Sequence, residues 1–151
     1  MKHLKMEVIL LKSFNNQEKQ QIIFNAYSNP KYKLDIKKNI GISEHSTVCV
    51  DEIELYLKFE NDRLIDAKYY ATGCAIFISS IEIMIEETLN KTKDQINLII
   101  ENYFKLINQK ENLETCVNLG KLEVFENIKV HLNRLECASI IYRAYKKGLN
   151  G

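Results

Sequence analysis

Residues 47–71, TVCVDEIELYLKFENDRLIDAKYYA, decide the fold. From Thr47 to Phe59 the apolar side chains Ile53, Leu55, Leu57 and Phe59 alternate with Glu52, Glu54, Tyr56 and Lys58. A period of two places the two sets on opposite faces of an extended chain, so this stretch predicts a half-buried strand. Glu60-Asn61-Asp62-Arg63 supplies turn residues, and Leu64 to Ala71 predicts a strand returning beside the first. Gly73 breaks the run. A hairpin with one apolar face must bury that face, and the cover has to come from the flanking segments.

Those segments read mostly as helices. Residues 17–28 (QEKQQIIFNAYS) place Ile22, Ile23, Ala26 and Tyr27 at helical spacing. Asn29-Pro30 ends that helix, because the residue before a proline avoids the helical region. Lys31 to Ser46 is polar and aperiodic and predicts a loop. Residues 74–90 are apolar with Glu82, Glu86 and Glu87 interspersed. Their isoleucines also alternate, but the length of the run, with Glu82 and Glu86 on one face, favours a helix. Ile96, Ile99, Ile100, Phe104 and Ile107 make an apolar stripe over 93–108. Residues 109–132 are mixed, with a short helix around Leu119 to Phe125. The last helix is expected from Arg134 to Lys147, with Asn133 and Glu136 as a capping box and Gly148 as its stop.

No repeat, low-complexity tract or Gly/Pro/Ser-rich linker divides the chain. The prediction is α+β: one domain over 13–151, a small antiparallel sheet of about three strands, and helices packed on one face. Residues 1–12 are expected to be an N-terminal extension.

Composition narrows the function. The chain has 151 residues, 46% apolar and 27% charged, with a formal net charge of +1. Lysines and acidic residues interleave, and no basic stripe marks a nucleic-acid partner. No apolar run is long enough for a membrane span: Ala75 to Ile85 is broken by Ser79, Ser80 and Glu82. Val8 to Leu11 is too short for the core of a signal peptide. The expected compartment is the cytoplasm. There, four dispersed cysteines read as buried hydrophobes, metal ligands or reactive thiols rather than disulfides.

Three of the four have informative settings. Cys49 and Asp51 are two apart at the expected start of a strand, so a thiolate and a carboxylate would point the same way and address one metal ion. A buried cysteine beside a surface aspartate is the alternative. His45 is a further candidate ligand or a solvated loop histidine. Cys74 follows Gly73 where strand should give way to helix, and the free N–H groups of a helix start favour a thiolate. A core-facing cysteine fits the same position. Cys137 also falls near a helix start, with Arg134 one turn before it, either stabilising a thiolate or merely solvated. Cys116 lies in a polar segment without such a setting. None of these spacings is the tight Cys-x-x-Cys of a zinc finger, so the residues alone lead to a candidate Cys3Asp site.

The same residues resemble a known family, the IscU/NifU-like iron–sulfur cluster assembly proteins, and within it the SufU type. Tyr27-Ser28-Asn29-Pro30 matches the family's Tyr-x-Asn-Pro after the first helix. Cys49-Val50-Asp51 matches its Cys-Gly-Asp, and Gly73-Cys74-Ala75, with Ser79-Ser80 and Met84, its Gly-Cys-Ala or Gly-Cys-Ser helix start. Arg134-Leu135-Glu136-Cys137-Ala138-Ser139-Ile140 matches the Arg-x-x-Cys-Ala-x-Leu of the SufU type. The similarity covers about residues 13–148. The long stretch between Cys74 and Cys137 is like the SufU insertion, and Glu136 stands where IscU-type proteins have histidine. One departure is Val50, where the family has glycine. A position that needs positive φ or close approach of a partner backbone suits valine poorly.

The resemblance implies a SufE/NifU-like fold and a zinc ion held by Cys49, Asp51, Cys74 and Cys137. It implies a sulfurtransferase-like carrier that takes persulfide sulfur on Cys49 from a SufS-like, pyridoxal-phosphate cysteine desulfurase, with Arg134 stabilising the thiolate. Downstream partners would be a cluster scaffold or apo iron–sulfur proteins. The alternative it implies is a scaffold on which an iron–sulfur cluster is built with the same ligands. A closed zinc site that only supports the fold is a third reading of the donor set.

Overall fold

In the computed structural model, residues 14–108, 118–128 and 132–150 are described. The order is α1 (Asn16–Ser28), β1 (Ile42–His45), β2 (Glu52–Glu60), β3 (Arg63–Thr72), α2 (Ala75–Thr88), α3 (Lys93–Ile107), a 3-10 helix (Gly120–Phe125) and α4 (Leu132–Asn150). The strands form one antiparallel sheet in the order β1-β2-β3. The expected α+β architecture is present. Residues 1–13 and Cys116 lie outside the described residues.

Asn61 and Asp62 connect β2 to β3 at φ 52° and 68°. Two adjacent positive φ values make the tight mirror-image turn whose twist matches a hairpin, and Asn and Asp tolerate that region. Beyond the turn the register slips, with Lys58 opposite Asp66 and Phe59 opposite Leu64. Ile65 is the extra residue. The bulge inverts the inside–outside parity, so Leu64 is buried together with Ala67, Tyr69 and Ala71.

Helix α2 covers this face. Every residue from Phe77 to Ile85 is buried, so α2 is enclosed on all sides and has no single apolar stripe. That enclosure is why its sequence periodicity is ambiguous. Glu82 is 4% exposed. Its carboxylate accepts hydrogen bonds from the N–H groups of Lys31 (2.8 Å) and Tyr32 (3.1 Å) and from the Tyr69 hydroxyl (2.8 Å). One buried side chain thereby pins the segment after Pro30 to the centre of the fold. Lys33 then pairs with Tyr69 as an isolated parallel bridge along β3.

Three expectations are corrected. The segment 31–46 contains β1, an edge strand of four residues. It is too short and too polar to show a period. Helix α4 begins at Leu132, so Asn133 lies inside it and not at its cap. Gly148 does not stop α4, which runs on to Asn150. A Cβ at Gly148 would lie 2.7 Å from Leu57 Cδ1 and 2.9 Å from Ile42 Cδ1. The glycine serves close packing of helix on sheet rather than termination.

Candidate metal centre

The three cysteines and the aspartate meet where β2 begins, α2 begins and α4 makes its first turns. The expected extension of β2 back to Thr47 is not found: residues 46–51 form a loop and the strand starts at Glu52. The alternation of strand side chains therefore does not place Cys49 beside Asp51. The loop's own hydrogen bonds do. Ser46 N–H donates to the Asp51 carbonyl at 2.9 Å and closes the loop. Ser46 Oγ accepts from the N–H groups of Val48 and Cys49, each at 3.0 Å, and lies 3.2 Å from Cys49 Sγ. Ser46 is 6% exposed. Its role was not read from the sequence, where a lone serine before a cysteine carries no distinctive signal.

Cys74 occupies the N-cap of α2, and its Sγ accepts the Phe77 N–H at 3.5 Å. Asp51, 3% exposed, accepts the Cys74 N–H on Oδ1 at 3.2 Å, and its Oδ2 lies 3.9 Å from Cys74 Sγ. Gly73 is required by this approach, because a Cβ there would lie 2.5 Å from Asp51 Oδ1 and overlap the Phe77 ring. Cys137 enters from α4, with its Sγ 3.4 Å from Cys74 Sγ. The donor atoms of Cys49, Asp51 and Cys137 all lie within 4.8 Å of one another. Two of the four groups, Asp51 and Cys137, are buried, while Cys49 and Cys74 are exposed.

This donor set fits a zinc-type cation. Tetrahedral zinc with bonds of about 2.0–2.3 Å brings its ligand atoms to roughly 3.3–3.8 Å from each other; Cys74 Sγ lies 3.4 Å from Cys137 Sγ and 3.9 Å from Asp51 Oδ2, and the Cys49, Asp51 and Cys137 donors lie within 4.8 Å of one another. Burial, followed by hydrogen bonding to Asp51 and Cys74 and their charge, pushes the Cys137 thiol well above its ordinary pKa. Acidic groups crowded this closely need a cation to be ionised together.

Val48, Val50, Ile76 and Arg134 line the open cleft around the donors. Arg134 is exposed at its rim. Val50 is 86% exposed and is not among the described non-glycine residues with positive φ, which are Asn39, Asn61, Asp62 and Asn90. Valine is therefore accommodated where the resemblance expects glycine, with its side chain turned to solvent. His45 ends β1, exposed and paired with Glu52, outside the donor group.

Glu136 has a function that the sequence reading missed. It does not complete a capping box. Its carboxylate reaches across to the loop and accepts the Thr47 N–H at 3.0 Å, while Arg143 grips it at 2.8 Å. No local pattern announces a contact spanning 89 residues.

Comparison with known proteins finds relatives of this chain. A model of the NifU-like N-terminal domain family matches residues 18–138. The zinc-dependent sulfurtransferase SufU of Bacillus subtilis (strain 168) is 28% identical over 131 residues, covering 86% of this chain and 88% of that protein. The iron–sulfur cluster assembly scaffold protein IscU of Thermotoga maritima is 32% identical over 130 residues, covering 85% and 90% respectively. The crystal structure of FiSufU from Fervidobacterium islandicum AW-1 superposes with a TM-score of 0.74 at 26% identity, covering 85% of this chain and 94% of that one.

Proposed function

Since the chain belongs to the family of NifU-like N-terminal domains, we propose that it acts in iron–sulfur cluster assembly, as a zinc-dependent sulfur carrier accepting persulfide sulfur from a cysteine desulfurase. The observation that supports this reading is the convergence of three thiols and one carboxylate from three distant segments at an open cleft.

Cys49, Asp51, Cys74 and Cys137 would hold the metal. Zinc, when bound, keeps the thiols deprotonated and damps their reactivity. Cys74 is fixed by the helix cap and Cys137 is buried in α4. Cys49 is both exposed and carried by a loop, so it is the donor best able to leave. Its Sγ then attacks the outer sulfur of the desulfurase's cysteine persulfide. A new S–S bond forms on Cys49, the donor's S–S bond breaks, and the electron pair leaves with the desulfurase thiolate. The persulfide moves without net oxidation. Arg134, at the cleft rim, supplies positive charge to the anionic sulfur.

The scaffold reading uses the same ligands, since cysteine thiolates also hold clusters, and the relative from Thermotoga maritima is named for that role. Two assays separate the readings. A sulfur carrier raises the turnover of a cysteine desulfurase and loses that effect in Cys49→Ser. A scaffold develops a visible cluster absorbance on anaerobic reconstitution and passes the cluster to an apo-acceptor. Desulfurase turnover that does not respond to the protein would sink the first reading.

A further inference from the structure

The loop carrying Cys49 and Asp51 is joined to α4, which carries Cys137, through the side chain next to Cys137. Glu136 Oε2 accepts the Thr47 N–H at 3.0 Å. Arg143, two turns along the same helix, holds both oxygens of that carboxylate, Nη2 to Oε2 at 2.8 Å and Nη1 to Oε1 at 3.3 Å. Arg143 also bridges to β1, donating to the His45 carbonyl at 3.3 Å and approaching Glu44 at 3.5 Å. Lys147, one turn further, pairs with Glu44 at 2.8 Å and donates to the Ser43 carbonyl at 3.0 Å. The strand entering the loop and the Thr47 amide within it are thus both tied to one helix.

We infer that Glu136 is a positioning residue: with Arg143 it latches the loop 46–51 onto α4 and so sets how readily Cys49 swings away from Asp51, Cys74 and Cys137. The consequence for sulfur transfer rests on the carrier reading above; the latch itself does not. Thr47 is two residues from Cys49, so releasing its amide removes the tie between the thiol-bearing stretch and α4, while Ser46 still closes the loop base and accepts the Val48 and Cys49 amides. Cys74 and Cys137 sit on α2 and α4 and are not held by this contact. A charge-assisted bond to a bidentate arginine–carboxylate pair is the strong kind, and the geometry predicts a selective effect on one of three cysteines.

The test uses the full chain, as purified and after zinc loading, with Glu136→Ala, Glu136→Gln and Arg143→Lys. Hydrogen exchange at the Thr47 amide and alkylation of each cysteine by iodoacetamide are followed by mass spectrometry. In Glu136→Ala, Thr47 exchange and Cys49 alkylation should rise by about tenfold or more, with Cys74 and Cys137 unchanged. Glu136→Gln keeps an acceptor for Thr47 and should restore most of the protection. Arg143→Lys, which loses the fork but keeps charge and helix, should shift Cys49 in the same direction by less, and it serves if the alanine variant does not fold. Wild-type rates at Thr47 and Cys49, or equal acceleration of all three cysteines, would overturn the latch. A wild-type protein that does not stimulate a desulfurase, yet shows this exchange pattern, would remove the sulfur-carrier role and leave the latch standing.

Discussion

The Sγ atoms of Cys74 and Cys137 lie 3.4 Å apart although 63 residues separate them in the chain. Two different devices bring them there. One sulfur caps the first turn of α2, and the other is carried by an α4 that packs against that helix. Asp51 stands beside both, its carboxylate oriented by the Cys74 N–H.

Protein purified without added metal should contain about one zinc per chain, as a tetrahedral four-donor site requires. Cys74→Ser and Cys137→Ser should each weaken zinc binding by more than about a hundredfold, since even changes behind the ligands cost 10–100-fold. Asp51→Asn, which keeps an acceptor for the Cys74 N–H, should weaken it less. Competition with a chromogenic chelator measures all three.

Gly73→Ala should destabilise the fold by about 1–3 kcal/mol, the usual cost of overpacking. Its methyl group meets Asp51 Oδ1 at 2.5 Å. Zinc affinity should fall with it, because the carboxylate is displaced. Urea denaturation of the zinc-loaded and chelated protein reads both effects.

Glu82→Ala should cost about 3 kcal/mol or more, because it leaves the Lys31 and Tyr32 amides and the Tyr69 hydroxyl without their buried acceptor. The loss should appear in thermal melting of the chelated protein. The alkylation pattern of the three site cysteines should stay as in wild type, since Glu82 touches none of them.

Acid should loosen β1 from α4 through Glu44. Burial pushes its pKa up, but the hydrogen bond from Lys147 and the charges of Lys147 and Arg143 outweigh it, and the net shift is down. A carboxylate lowered on folding contributes stability above its unfolded value of about 4.5, and that contribution is lost as pH falls through the folded value. The melting temperature of Glu44→Gln should therefore fall less than that of wild type between about pH 5 and about pH 3. Equal slopes would remove Glu44 from the account.

Local chemistry was enough to read the hairpin, its turn, the four main helices and the identity of the four candidate ligands. Alternation, capping preference and the Asn-Pro stop act within a few residues, so they survive in a bare sequence. Glu136 shows the limit, since the same residue reads as a capping partner from its neighbours and is a cross-chain acceptor in the fold. Gly148 shows it again: a stop signal by type, a packing contact by position.

Sequence by itself determined which side chains are the candidate donors, because thiols, carboxylate and helix-start glycine are local properties. Tertiary structure alone decided that Cys49 faces Asp51 from a loop closed by Ser46 rather than along a strand. It alone decided that Glu82 is buried and that Glu136 holds the loop. Each of these depends on a donor and an acceptor separated by a turn of loop or by half the chain. Their meeting is fixed by which faces the packed core leaves adjacent, a property that no short window of sequence contains.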